Sequence, residues 1–231
     1  MKGYTEYKVG KEPIFVKNLI SDGIFSQEMF SRLFDQTLEL KKFWDPDRDS
    51  QDIVYSPGIQ YNLSYVFSQE LERIKVFANN EVDKVYLENK SYSDFSLSFK
   101  SNWLYYSFPS EQNSFWHAHV MNKVFGTEPR SGALKVKDIP AIWTYVVYIN
   151  VPSDIENAGG KIHFNSNRDQ KTDAANRTSS KTLSEFAYTP SQGDFIIFPS
   201  WMPHLPEPSI DKNVRVVLGG NVSYLKQKSL I

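Results

Sequence analysis

The chain has 231 residues, of which 40% are hydrophobic and 23% charged, so it can bury the core of one domain. Its formal net charge of −1 offers no basic surface for nucleic acid or an anionic membrane. It contains no cysteine, which excludes disulfides and thiolate ligands, so a bound metal would need nitrogen and oxygen ligands. The sequence shows neither a signal peptide nor a transmembrane segment, and we expect a cytoplasmic protein.

The N-terminal part is predicted to combine strand and helix. Residues 14–16 are apolar and predict a short strand. A helix is predicted after Ser26, a residue type that suits the N-cap, and Pro46 would end it. A second helix is predicted over residues 68–77, with Asn79–Asn80 as its end.

The remainder of the chain is predicted to form strands. Apolar and aromatic runs separated by Gly and Pro turns occupy residues 94–108, 142–149, 161–164, 195–198 and 214–222. Because helices do not alternate with these runs, the pattern favours a mainly β jelly roll or barrel over a parallel sheet.

The domain organisation expected from these elements is one domain over residues 1–231. Residues 1–100 would supply a strand and helices that support the roll, and residues 101–225 would form its core. The polar segment 166–180 is predicted to be a long loop and is a candidate lid.

Three of the four histidines have a spacing that predicts a metal site. His117 and His119 are two residues apart, so on a strand they would share a face at a separation of roughly 6.6 Å. His204 follows in a later Gly-Asp-strand-Pro segment and can complete the set. His163 alternates with apolar neighbours, and we expect it to have a structural role in the core or around the site.

Arg215 follows the last of these histidines within an apolar stretch that contains Val214, Val216 and Val217. A buried guanidinium needs an anionic partner, and its planar fork matches a carboxylate. The pattern therefore predicts a site for an anionic co-substrate.

The order of these motifs, from Trp103 to Asn221, resembles that of the Fe(II)- and 2-oxoglutarate-dependent dioxygenases, in particular their prolyl-hydroxylase-like branch common in bacteria and phages. The resemblance implies a double-stranded β-helix core with N-terminal helices, in which His117 and His204 are iron ligands. It further implies that Arg215 binds the far carboxylate of 2-oxoglutarate and that Tyr148 hydrogen-bonds the same group.

The activity implied by this resemblance is hydroxylation of a peptide or small-molecule substrate in the cytoplasm, which for a phage-encoded protein would be that of the host. The cofactors implied are Fe(II), 2-oxoglutarate as co-substrate and O2, with ascorbate as an optional reductant. The primary substrate and the oligomeric state are open.

The sequence departs from the family at the second metal ligand, which is usually Asp or Glu but here is His119. Three interpretations are open: a three-histidine iron site, a bystander histidine beside a vacant position, or a degenerate binding module. We favour the first, in which His117, His119 and His204 are all ligands. A second departure is Val217, where the family often has a small hydroxyl residue, and Gly219–Gly220 replaces a more usual bulky strand.

Two other metalloprotein classes are alternatives. A cupin also uses an early His-x-His and a later Gly-Pro-His pattern, but the glutamate that it needs after the second histidine is replaced here by Asn122 and Lys123. A zinc hydrolase or lyase with three histidine ligands is the other option, because zinc readily accepts this ligand set with an open water position, although the sequence shows no obvious general base for it.

Overall fold

The computed structural model describes residues 3–41, 58–62, 68–89, 95–107, 116–119, 121–127, 134–166, 184–210 and 214–226. In these ranges the strands are β1 (Thr5–Val9), β2 (Glu12–Asn18), β3 (Gly58–Asn62), β4 (Phe95–Ser107), β5 (Met121–Thr127), β6 (Leu134–Pro140), β7 (Trp143–Asn150), β8 (Ile162–Phe164), β9 (Phe186–Tyr188), β10 (Asp194–Pro199), β11 (His204–Pro206) and β12 (Arg215–Lys226). The helices are α1 (Gln27–Lys41), α2 (Gln69–Asn89) and α3 (Ile155–Ala158).

A large antiparallel sheet organises the molecule. Its seven strands are ordered β1-β2-β10-β7-β12-β4-β3, and a smaller sheet is ordered β11-β8-β9. Strands β5 and β6 form a separate antiparallel pair. The prediction of a mainly β chain with N-terminal helices is confirmed.

One face of the large sheet is covered by α1 and α2. Phe30 and Leu33 of α1 pack with Ile74 of α2 against apolar side chains of the sheet, among them Tyr145 and Leu218. Both helices begin at a serine cap: Ser26 Oγ accepts a hydrogen bond from the backbone N–H of Met29 at 3.1 Å, and Ser68 Oγ accepts one from that of Leu71 at 3.0 Å.

The predicted end of the second helix is wrong, because α2 continues nine residues beyond Asn80 to Asn89. Ala78, Val82 and Val85 continue its buried stripe past the asparagines. An asparagine in a helix interior lowers stability by less than about 1 kcal/mol relative to alanine, whereas burial of a valine side chain stabilises by roughly 1.5 kcal/mol or more. Strand β1, which was not predicted, forms the edge of the large sheet beside β2.

The other face of the large sheet packs against the small sheet and encloses a second core. Tyr148 and Val217 from the large sheet meet Ile162 and Phe164 from the small one, and Phe198 joins them. Side chains alternate along a strand, so Arg215, Val217, Gly219 and Asn221 share this second face of β12. This space between the sheets contains the candidate site.

Other predicted features have mixed outcomes. The strands predicted within residues 94–108, 142–149, 161–164, 195–198 and 214–222 are present as β4, β7, β8, β10 and β12. Pro46 and residues 167–180 of the candidate lid lie outside the described residues. Among the described helices, none combines the length and apolar character of a membrane span.

Candidate metal centre and co-substrate site

The three predicted histidines come together at one end of the space between the sheets. His117 and His204 form an isolated antiparallel bridge, with backbone hydrogen bonds of 3.0 and 2.9 Å in the two directions. The His119 N–H donates to the carbonyl of Ser200 at 2.8 Å, which fixes the second half of the His-x-His pair to the turn after β10. Three backbone hydrogen bonds therefore bring together the two distant segments that carry the three imidazoles.

The imidazoles can serve one metal ion. Ring centroids are 4.2 Å apart for His117 and His204, 5.0 Å for His119 and His204, and 5.2 Å for His117 and His119. One nitrogen of each ring lies within 4.8 Å of the others, and no carboxylate of the described residues joins this group. Two nitrogens bound to one ion at about 2 Å each are separated by at most about 4 Å, so small ring rotations bring all three into range.

The environment keeps two of the rings neutral, the state in which imidazole binds a metal. Burial, with a smaller contribution from the neighbouring His117, lowers the pKa of His119 to about 3. Burial also lowers the pKa of His204 well below its usual value, and the charges of His117 and His119 act in the same direction. These nitrogens are available as ligands at neutral pH.

A second contact orients His204. Its Nδ1 lies 3.1 Å from the carbonyl oxygen of Met202, and because a carbonyl only accepts, Nδ1 carries the proton and Nε2 has the free lone pair. The ring also packs edge-on against Phe198, with centroids 4.8 Å apart. His204 is thus held in one tautomer and one orientation.

His119 is held differently. Its ring lies against the indole of Trp103, with centroids 5.1 Å apart and planes inclined by 30°. Trp103 is on β4, opposite Gly219 of β12. A Cβ on Gly219 would lie 2.4 Å from the indole, so glycine is needed for this approach.

Arg215 lies buried at the start of β12 with an incomplete set of partners. Its Nη1 donates to the carbonyl of Glu207 at 2.9 Å and to that of Gly160 at 3.3 Å. Its Nη2 is buried and has no hydrogen-bond partner among the described residues. A buried guanidinium nitrogen without a partner has a large desolvation penalty, which a carboxylate ligand would remove.

Tyr148 lies near Arg215 on the same side of the large sheet. It is 2% exposed, and burial raises the pKa of its hydroxyl, whereas the charge of Arg215 opposes that shift. The tyrosine is therefore a neutral hydroxyl next to a cation, a pair that can donate hydrogen bonds to one anion.

A buried polar network supports the metal end of the space. The hydroxyl of Thr144 lies 2.9 Å from that of Ser200 and 2.8 Å from Oδ1 of Asn221. Since Asn221 Oδ1 only accepts, Thr144 donates to it and accepts from Ser200. The network links β7, β12 and the turn whose carbonyl receives the N–H of His119.

The fourth histidine, His163, lies outside the three-histidine group. Its Nδ1 is 3.0 Å from Ser184 Oγ, and its Nε2 is 3.8 Å from Glu207 Oε1. The sequence did not identify Trp103 or the Thr144 network as parts of the site. The sequence signal for the Thr144 network was Thr144 itself, a polar residue within the apolar run 142–149.

Residues 139–221 match the model of a protein family described as "Putative 2OG-Fe(II) oxygenase". The matched region includes Tyr148, His204 and Arg215, but it begins after the His-x-His pair. No curated protein matches the chain in sequence.

Solved structures share the fold at low sequence identity. The viral collagen prolyl hydroxylase of Paramecium bursaria Chlorella virus-1, in complex with 2-oxoglutarate, is 12% identical with a TM-score of 0.51, and the match covers 97% of each chain. A Trichoplax adhaerens prolyl hydroxylase in complex with a hypoxia-inducible-factor peptide is 14% identical with a TM-score of 0.53, over 93% of this chain and 84% of that one. HygX of Streptomyces hygroscopicus, with nickel and 2-oxoglutarate bound, is 12% identical with a TM-score of 0.52, over 91% of this chain and 82% of that one.

These comparisons confirm the predicted jelly-roll fold. The family match covers the core strands over residues 139–221, and the fold is similar to that of prolyl-hydroxylase-like 2-oxoglutarate- and Fe(II)-dependent oxygenases.

Proposed function

We propose that the chain is a hydroxylase in which His117, His119 and His204 hold Fe(II) and Arg215 binds the distal carboxylate of 2-oxoglutarate. The observation that carries the proposal is the pairing of three convergent imidazole nitrogens with a buried guanidinium on the same side of the large sheet, whose Nη2 has no hydrogen-bond partner among the described residues. Bound together, Fe(II), 2-oxoglutarate and O2 supply an oxidative decarboxylation that hydroxylates a C–H bond of the substrate.

The distance between the histidine cluster and Arg215 suits a short dicarboxylate. Gly219, which lies under the indole that contacts His119, is four residues from Arg215, or about 13 Å along a strand. The arginine side chain and the imidazoles cover part of this distance. Tyr148 is proposed to donate its hydroxyl hydrogen to the carboxylate that Arg215 binds, and its raised pKa keeps that hydrogen in place at neutral pH.

The protein also contributes a dry, apolar environment. Phe164, Phe198 and Val217 are buried in the second core, and the rings of both phenylalanines pack against that of His204. Exclusion of water strengthens the ionic contact with Arg215 and limits side reactions. These residues bind, orient and shield, and the redox chemistry belongs to the metal and its co-substrate.

The proposed substrate is a peptide side chain or a small molecule. Relatives with this fold include a prolyl hydroxylase bound to a peptide fragment and HygX bound to hygromycin B. We also propose that the enzyme acts in the cytoplasm, where a chain without cysteines needs no oxidising environment.

The test is an anaerobic titration of metal-free protein with Fe(II) and then 2-oxoglutarate, followed by visible absorption. A charge-transfer band that requires both components, and that His204→Ala abolishes, is the expected result. His163→Ala is the matched control, because it removes the histidine outside the cluster and should leave the band intact. His119→Ala distinguishes a third ligand from a bystander, since only a ligand affects the position of the band.

The alternatives give different results in the same titration. Binding of iron without any response to 2-oxoglutarate would favour a cupin-like site. Failure to bind iron at all would overturn the proposal.

A further inference from the structure

Two histidines of the cluster, His204 and His119, differ in how their rings are oriented. His204 has a hydrogen bond from Nδ1 to the Met202 carbonyl, which is the usual way to orient a metal-bound imidazole. Within the described part of the chain, the ring of His119 has no hydrogen bond, and the aromatic rings that it contacts are those of Trp103 and the other two histidines. Something other than a hydrogen bond must therefore fix its plane.

We infer that Trp103 is the positioning residue of His119 and that ring stacking replaces the missing hydrogen bond. The inference rests on the proposed role of His119 as a metal ligand. The indole and imidazole planes are inclined by only 30°, which is nearer to a stacked than to an edge-on arrangement. Rotation of the imidazole out of this plane would bring it into the face of the indole.

The backbone of β12 permits this contact. Trp103 and Gly219 are opposite each other in the β4–β12 ladder, and a Cβ at position 219 would meet indole atoms at 2.4 to 2.5 Å. Only glycine leaves room for the indole over β12, where it reaches His119. Trp103 therefore lies against both positions at which the sequence departs from the family: Gly219, in place of a bulkier residue, and His119, in place of a carboxylate.

The electronic character of the pair also fits a metal ligand. A metal ion withdraws electron density from a bound imidazole, and the electron-rich face of indole attracts such a ring more strongly than the neutral one. A carboxylate ligand at this position would gain nothing from the same surface. The contact is therefore matched to a histidine and strengthens when the metal binds.

Co(II) binding to the full chain, measured by its visible absorption bands, tests this role. We expect Trp103→Leu to weaken Co(II) binding about tenfold, as other losses of ligand-orienting contacts do, and to shift the bands. Trp103→Phe keeps a ring beside His119 and should show a smaller loss. Trp143→Phe is the matched control, because this buried indole on β7 packs against Phe15 in the core on the helix side. It should leave the affinity and the bands unchanged.

A double-mutant cycle separates positioning from general stability. In a His119→Ala background, Trp103→Leu should cause no further loss of Co(II) affinity, because the ring that it orients is gone. An equal loss in both backgrounds, or wild-type affinity and bands in Trp103→Leu, would overturn the inference. If the leucine variant does not fold, wild-type affinity and bands in Trp103→Phe would overturn it. Failure of the wild-type chain to bind Co(II) would instead remove the proposed function, and this inference with it.

Discussion

Replacement of Arg215 by methionine should separate co-substrate binding from metal binding. The variant keeps a long apolar stem in the second core but removes the buried Nη2 that lacks a protein partner. A charge-assisted hydrogen bond contributes about 1.5–3 kcal/mol, so the Kd for 2-oxoglutarate should rise by roughly 10- to 150-fold. The metal affinity should not change, because Arg215 is outside the three-histidine group.

Thermal denaturation of the Ni(II)-loaded protein measures this difference without turnover. At a ligand concentration of about 100 Kd, 2-oxoglutarate should stabilise the wild type by about 2.7 kcal/mol. For a chain of this size that corresponds to a Tm increase of roughly 5–11 °C. If the Kd rises a hundredfold, 2-oxoglutarate at the same concentration stabilises the variant by only about 0.4 kcal/mol, which corresponds to a Tm increase of roughly 1–2 °C.

Two controls identify the carboxylate contact as the cause. Pyruvate, which lacks the distal carboxylate, should stabilise wild type and Arg215→Met equally. Arg32→Met removes a half-exposed arginine that pairs with Glu28 and should retain the full response to 2-oxoglutarate. A full 2-oxoglutarate shift in Arg215→Met would refute the assignment of Arg215.

Three further predictions concern the other parts of the site. His119→Asp replaces one of the three imidazoles by a negatively charged ligand, so azide should bind the Co(II)-loaded variant more weakly than the wild type in a spectroscopic titration. In the metal-free protein, burial lowers the pKa of folded His119 to about 3, so below pH 6.5 only the unfolded state takes up a proton there and stability falls. His204, whose pKa is also lowered, contributes a loss of the same sign. Urea denaturation should show that the stability lost between pH 7.5 and pH 5.5 is about 1.4 kcal/mol smaller in His119→Asn than in the wild type. Thr144→Val removes a hydrogen-bond partner of both Ser200 and Asn221, so the free energy of unfolding measured by urea denaturation at pH 7.5 should fall by about 1–3 kcal/mol. An unchanged midpoint would show that the network is dispensable.

The sequence predicted the features that depend on local patterns. Apolar runs between Gly and Pro turns located β4, β7, β8, β10 and β12, and Ser26 marked the start of α1 through its own hydroxyl. The two-residue spacing of His117 and His119 is a local feature of the sequence, whereas their convergence with His204 was predicted from the order of the motifs along the chain. The pair lies outside the named strands, where His117 forms an isolated bridge with His204.

Features that depend on tertiary packing were beyond the sequence. Strand β1 is mostly exposed at the sheet edge, so its residues lack the apolar alternation of a half-buried strand. The length of α2 depends on what Val82 and Val85 pack against. The contact between Trp103 and His119 requires the register of β4 on β12, which no local pattern encodes.

A metal held by His117 and His204, as proposed, would have a second role as a cross-link. A chain without cysteines has no covalent means of joining distant segments, but an ion bound by both histidines closes a loop. For a closed loop of roughly 90 residues, the entropy removed from the unfolded chain corresponds to about 4–5 kcal/mol when the link persists on unfolding. A metal that dissociates on unfolding contributes through its binding free energy instead, and this contribution depends on its concentration. Iron supply would then determine how long the folded enzyme survives as well as how fast it works.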